Sequence, residues 1–140
     1  DFQCALGVSQ LKQLNSFVLA RRKIASIYLK ELKNDERFIL PKEKLNYYHS
    51  YHIFPLQVNF DKIKIDKQEL FKRFKKKGIN LQVHYIPIHL QPFYKKKFGY
   101  KVNQFPNAEK FYRNEISLPI YPELKISDLY KVINELLSIK

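Results

Sequence analysis

Residues 1–33 carry the pattern that most limits how this chain can fold. Leu11, Leu14, Val18, Ala25, Tyr28 and Leu32 recur at spacings of three, four or seven and mark one face of an α-helix. No proline interrupts them. A single helix of that length would be roughly 50 Å long at about 1.5 Å per residue. That exceeds the width of a domain built from 140 residues. The stretch must bend, with Asn15-Ser16 the expected place, or reach into another body. A long helix joining two domains accounts for the excess. The expected organisation is residues 1–33 as a helical link to an N-terminal domain and residues 34–140 as a small domain. The chain contains no methionine, which reads as Asp1 following other sequence.

After the long helix the signals alternate. Residues 34–46, with Asn34-Asp35 and Pro41, read as a loop. Residues 47–60 are rich in aromatic and β-branched side chains and read as a strand, with Pro55 suggesting an edge or a bulge. Asp66 and Glu69 have capping-box spacing, and the helix carrying Leu70, Phe71 and Phe74 should stop at Gly78. Residues 79–86 read as a second strand, and 87–107 as an irregular, proline-rich tract. A short helix is expected from Pro106 to Asn114, then a third strand at Ile116–Leu118. A last helix should be capped by Ser127, with Leu129, Val132, Ile133, Leu136 and Leu137 on one face. The order of elements points to an α+β fold, a small and mostly antiparallel sheet with helices packed on it.

Composition narrows the function. Only Gly7, Gly78 and Gly99 are glycine, so neither a dinucleotide-binding Gly-x-Gly-x-x-Gly nor a phosphate-cradling loop can be written. Cys4 is the single cysteine, which excludes an internal disulfide and fits a reducing, cytoplasmic setting. No apolar run reaches the length of a membrane span. The net charge is +13, but lysine outnumbers arginine 21 to 5, and sequence-specific nucleic-acid readers favour arginine. Lys75-Lys76-Lys77 and Lys95-Lys96-Lys97 sit beside turns and read as solvated edges.

The residues best suited to chemistry lie in Gln82-Val-His-Tyr-Ile-Pro-Ile-His89. A strand ending in imidazole and aromatic groups can hydrogen-bond a sugar or phosphate and stack on a base. A plain structural role for each histidine fits as well. Metal binding would need a third ligand from elsewhere, because no acidic residue lies between Gly78 and Lys101. No nucleophile-and-base set is assignable, and Cys4 reads as a small residue of the first helix.

Several segments, in order, resemble one family. Asp1-Phe-Gln-Cys-Ala-Leu-Gly-Val-Ser-Gln-Leu-Lys-Gln-Leu14 and Arg21-Arg-Lys-Ile-Ala25 resemble the helix that leaves the active-site domain of DegT/StrS-like sugar-nucleotide aminotransferases. These are pyridoxal-phosphate (PLP) enzymes of fold type I. Ser50-Tyr-His-Ile-Phe-Pro-Leu-Gln-Val58 resembles the first strand of that family's small C-terminal domain. Lys77-Gly-Ile-Asn-Leu-Gln-Val-His-Tyr-Ile-Pro-Ile-His-Leu-Gln-Pro-Phe-Tyr94 is the longest and most specific match. Phe105-Pro-Asn-Ala-Glu-Lys-Phe-Tyr112 and Ile116-Ser-Leu-Pro-Ile-Tyr-Pro122 complete the series, which covers essentially the whole chain. One departure is Cys4, where the family generally has a small residue such as alanine.

The resemblance implies the C-terminal domain of an enzyme that moves an amino group from glutamate, through PLP, to a keto sugar nucleotide. It is most similar to the pseudaminic acid branch, which acts on a UDP-linked 4-keto sugar. The Schiff-base lysine and most PLP contacts would lie before Asp1, so this chain alone would be inactive, and the intact enzyme would be a homodimer. By position, His84, Tyr85 and His89 would lie nearest the substrate, with Tyr94 a further candidate; Asp1 and Gln3 would lie near the hinge. A dehydratase branch of the same family is the nearer alternative. A stand-alone nucleic-acid-binding module, using the Tyr, Phe and Lys residues between 93 and 112, is the more distant one.

Overall fold

The computed structural model describes residues 1–140. It is an α+β structure with six α-helices and a three-stranded antiparallel sheet in the order β1-β2-β3. The first helical stretch is two helices, α1 (Phe2–Leu11) and α2 (Leu14–Leu32). The break falls at Lys12-Gln13, slightly before the expected Asn15-Ser16. Gln13 sits just ahead of α2, and its carbonyl accepts the Ser16 hydroxyl at 2.7 Å. Serine back-bonding of this kind competes with the helical ladder and marks the junction. The apolar stripe is continuous, but only its later half is buried: Ile24, Ala25, Tyr28 and Leu32 enter the core, while α1 buries nothing.

β1 (Phe38–Ile39) arises inside the segment expected to be loop. It pairs with β2 (Phe54–Val58) through Phe38–Val58 and Ile39–Gln57. β2 is shorter than the expected 47–60 strand because Tyr51 takes a left-handed turn before it, with φ 47°. Pro55 lies on the central strand, against the expectation of an edge. The position is tolerated because β1 pairs only with Gln57 and Val58, leaving that end of β2 without a neighbour on the β1 side. β3 (Glu115–Leu118) pairs along the other side, with Phe54 opposite Leu118 and Leu56 opposite Ile116.

α3 (Lys67–Lys76) begins as its sequence dictates, with the Asp66 carboxylate accepting the Glu69 N–H at 2.8 Å. It ends in a Schellman turn: Gly78 N–H donates to Lys75 O at 2.9 Å and Ile79 N–H to Phe74 O at 3.0 Å. Residues 79–86 do not form the expected strand. They run along the free edge of β3, and their one backbone bridge to it is Gln82 with Ser117. The proline-rich tract holds a single 3-10 turn at Ile88–Leu90 and then α4 (Pro92–Phe98), which is closed by Gly99 at φ 68°. α5 (Pro106–Asn114) has the expected bounds. α6 (Ile126–Leu137) is preceded by Lys125, so Ser127 lies within its first turn and does not cap it.

One core joins α2, α3, α6 and the inward face of the sheet, with Tyr28, Phe54, Phe74, Leu129 and Leu136 among its fully buried side chains. No helix is long and apolar enough to cross a membrane.

Candidate functional site

β3 is buried along its whole length, and its two faces carry different chemistry. Ile116 and Leu118 enter the core. By strand alternation, Glu115 and Ser117 lie on the other face, beside Gln57 and Pro55 of β2. A carboxylate buried there must find donors. The Ser117 hydroxyl donates to Glu115 Oε1, and the His84 backbone N–H donates to Glu115 Oε2 at 3.1 Å. Lys67 is the only lysine that is not exposed, and its ammonium donates to Tyr112 O at 2.7 Å. Burial pushes the Lys67 pKa down, and the Glu115 carboxylate acts in the opposite sense.

The His84 ring completes the chain of contacts, with Nδ1 at 2.7 Å from Ser117 Oγ. His84 and Ser117 line an open cavity of about 580 Å³ between the 78–84 segment, the turn after β3 and the first half of α6. His52, Gln82, Tyr121, Asp128 and Lys131 add polar groups to its wall. Hydroxyl, amide, imidazole and ammonium groups on a cleft of this size suit a polar organic ligand.

The four residues singled out in the sequence fall into two groups. Tyr85 stands beside His84, ring edge to ring face at 4.7 Å, and is exposed to solvent; the peptide between them is cis. His89 turns away and is buried, with Nε2 2.9 Å from Glu109 Oε1. This contact, with two backbone N–H groups from Asn103 and Phe105, holds the Glu109 pKa below the ordinary carboxylate range against the opposing effect of burial. Tyr94 belongs with His89. A ladder of rings runs from Tyr94 through Phe98, Tyr100 and Phe105 to the His89 imidazole, with centroid spacings of 6.1, 5.6, 5.8 and 4.8 Å. His84 and His89 therefore serve separate partners, and no three His, Cys, Asp or Glu side chains gather in metal-binding geometry.

Sequence reasoning missed Glu115, Ser117 and the cavity residue His52. A serine and a glutamate alternating with apolar strand residues ordinarily mark a solvent face. Here α5 and the 82–85 segment cover that face, and no local signal announces the cover.

The lysines also test the fit to PLP. A Schiff-base lysine is activated by desolvation and must face the cofactor. Lys131, on the cavity wall, is exposed, and Lys67 is committed to the Tyr112 carbonyl. Neither of these two is assigned as a Schiff-base lysine.

Comparison with known proteins decides the family. The profile of the DegT/DnrJ/EryC1/StrS aminotransferase family matches residues 1–137. The chain belongs to that family. Among DegT/DnrJ/EryC1/StrS relatives, the uncharacterized protein MJ1066 of Methanocaldococcus jannaschii is 44% identical over 96% of this chain and 35% of its own length. The UDP-4-amino-4,6-dideoxy-N-acetyl-beta-L-altrosamine transaminase of Campylobacter jejuni is 37% identical over 99% of this chain and 36% of its own. Helicobacter pylori PseC, an aminotransferase of pseudaminic acid biosynthesis, superposes with a TM-score of 0.85 at 30% identity, covering 96% of this chain and 36% of PseC. The chain thus spans about a third of the length of these family members.

Proposed function

We propose that this chain is the substrate-capping domain of a PLP-dependent aminotransferase that moves an amino group from glutamate to a UDP-linked 4-keto sugar in bacterial surface-sugar synthesis. In this reading α1 and the start of α2 lead to an N-terminal domain that supplies the lysine and the PLP contacts, and the enzyme works as a cytoplasmic homodimer. PLP supplies the electron sink for such a reaction. Residues 34–140 supply the sugar-nucleotide side of the cleft. The observation that supports the reading is the His84 imidazole on the cavity wall, with the exposed phenol of Tyr85 against its ring, on a chain of this family. Tyr85 and His84 would touch the substrate directly. Tyr94 would contribute from the ring ladder, and His89 would hold the 85–94 segment in place through Glu109.

The test is His84→Ala in the intact enzyme. KM for the sugar nucleotide should rise on the order of tenfold, the scale of a lost hydrogen bond in a partly buried site, while KM for glutamate stays unchanged. Unaltered sugar-nucleotide kinetics would remove His84 from the site.

A further inference from the structure

The Glu115–Ser117–His84 chain has a direction that its atoms fix. A carboxylate can only accept hydrogen bonds, so the Ser117 proton is committed to Glu115 Oε1. The second Glu115 oxygen is occupied by the His84 backbone N–H, and Lys67 stands near the same carboxylate. With its proton spent, Ser117 Oγ offers only lone pairs to the ring nitrogen 2.7 Å away. His84 Nδ1 must therefore be the donor, and in a neutral imidazole that leaves Nε2 without a proton. Nε2 makes no hydrogen bond within the chain. The single buried side-chain nitrogen or oxygen without a partner is Arg21 Nε, so His84 Nε2 is not shut off from the surface. The imidazole is thus anchored at one end in a buried polar network and free at the other.

We infer that Glu115 and Ser117 are positioning residues that hold His84 in its Nδ1–H form, so that Nε2 meets the ligand as an acceptor for a hydroxyl or amide N–H and not as a donor to phosphate. The fixed proton position is independent of what binds; the ligand half rests on the sugar-nucleotide reading above. It assigns His84 to the sugar ring or its amide substituent. The diphosphate is left to cationic groups elsewhere.

The proton position is read directly by nuclear magnetic resonance of the full-length protein carrying 13C,15N-labelled histidine, with the His84 signal assigned by its loss in His84→Gln. The wild type should show the Nδ1–H form, whereas imidazole free in water favours Nε2–H. Ser117→Ala should move the His84 signal toward Nε2–H and raise KM for the sugar nucleotide roughly fivefold, about one neutral hydrogen bond, with KM for glutamate unchanged. Ser117→Thr, which keeps the hydroxyl, should retain both wild-type properties. An Nε2–H signal in the wild type overturns the inference without any variant. A Ser117→Ala protein that stays Nδ1–H removes Ser117 from its role. A signal that switches while the sugar-nucleotide KM stays at the wild-type value overturns the ligand contact and leaves the fixed proton standing.

Discussion

Arg37 joins the end of α2 to the end of α6. Its guanidinium donates to both Asp35 oxygens, with Nε at 2.8 Å from Oδ1, and reaches across to the carbonyls of Leu137 and Ile139. The Arg37 guanidinium, with the Arg37 backbone N–H, holds the Asp35 pKa below the ordinary aspartate range, against partial burial. The sign of the pH effect follows. A carboxylate with a depressed folded pKa contributes stability that is fully present above its unfolded value, about pH 4, and is lost as pH falls through the lower folded value. Asp35→Asn should therefore be less stable than the wild type at neutral pH, and the gap should close in acid. Urea unfolding followed over that range reads this out; a gap that persists at the acid end would mean Asp35 acts through packing and not charge. Tyr28 makes a different contribution. It is fully buried, its hydroxyl donates to Pro119 O at 3.0 Å, and burial pushes the phenol pKa well up, so it stays neutral. Tyr28→Phe keeps the packing and strands one carbonyl, and should cost about 1–2 kcal/mol in the same unfolding experiment.

At the scale of elements, two glycines make opposite predictions from the same open surroundings. A methyl group added at Gly78 or Gly7 meets no heavy atom within 4 Å, so any cost lies in the backbone. Gly78 holds the Schellman turn at φ 73°, where an L-residue is strained, and Gly78→Ala should destabilise by about 1 kcal/mol. Gly7 lies inside α1 with no such requirement, and Gly7→Ala should favour that helix by roughly 0.5–1 kcal/mol. Circular dichroism on thermal unfolding separates the two signs. The elements legible in the sequence are those whose signals are local. The Asp66 cap, the Gly78 stop and the apolar stripe of α6 each act within a turn or two. α4 was hidden for a physical reason: it has Pro92 in its first turn and Gly99 just beyond its end, as a helix should, but it buries no residue and so shows no apolar period. The 79–86 segment does alternate, with Ile79 and Leu81 buried, yet it leaves β3 after a single bridge because His84 turns to Glu115 and Ser117. That turn depends on residues more than thirty positions away, which no local window contains. His84 and Tyr85 were legible as candidates for the same reason that Glu115 and Ser117 were not: the first pair is chemically conspicuous in sequence, and the second becomes so only under its cover.

At the scale of the whole molecule, the charge and the apolar surface are distributed unevenly. Lys75 and Lys76, and Lys95 to Lys97, fall in the last turns of α3 and α4, where cations complement the helix dipole. These five of the 26 basic residues therefore have a local structural place before any ligand is considered. α1 carries exposed apolar side chains of its own. Phe2, Leu6, Val8 and Leu11 of α1 are all exposed, and the ten-residue helix buries none of its side chains. A helix that short is marginal in water without tertiary contacts. If α1 links residues 34–140 to an N-terminal domain, as proposed, its apolar residues are covered in the full-length protein and bare in the isolated 140-residue chain. Hydrogen–deuterium exchange should then show α1 amides exchanging almost freely in the isolated chain, while those of α2 from Ile24 to Leu32 stay protected in both forms. In the full-length protein the α1 amides should slow by at least about tenfold, which corresponds to roughly 1.4 kcal/mol of tertiary stabilisation. Equal, fast exchange of α1 in both forms would mean that nothing packs on it, and the link between two domains would have to be sought elsewhere.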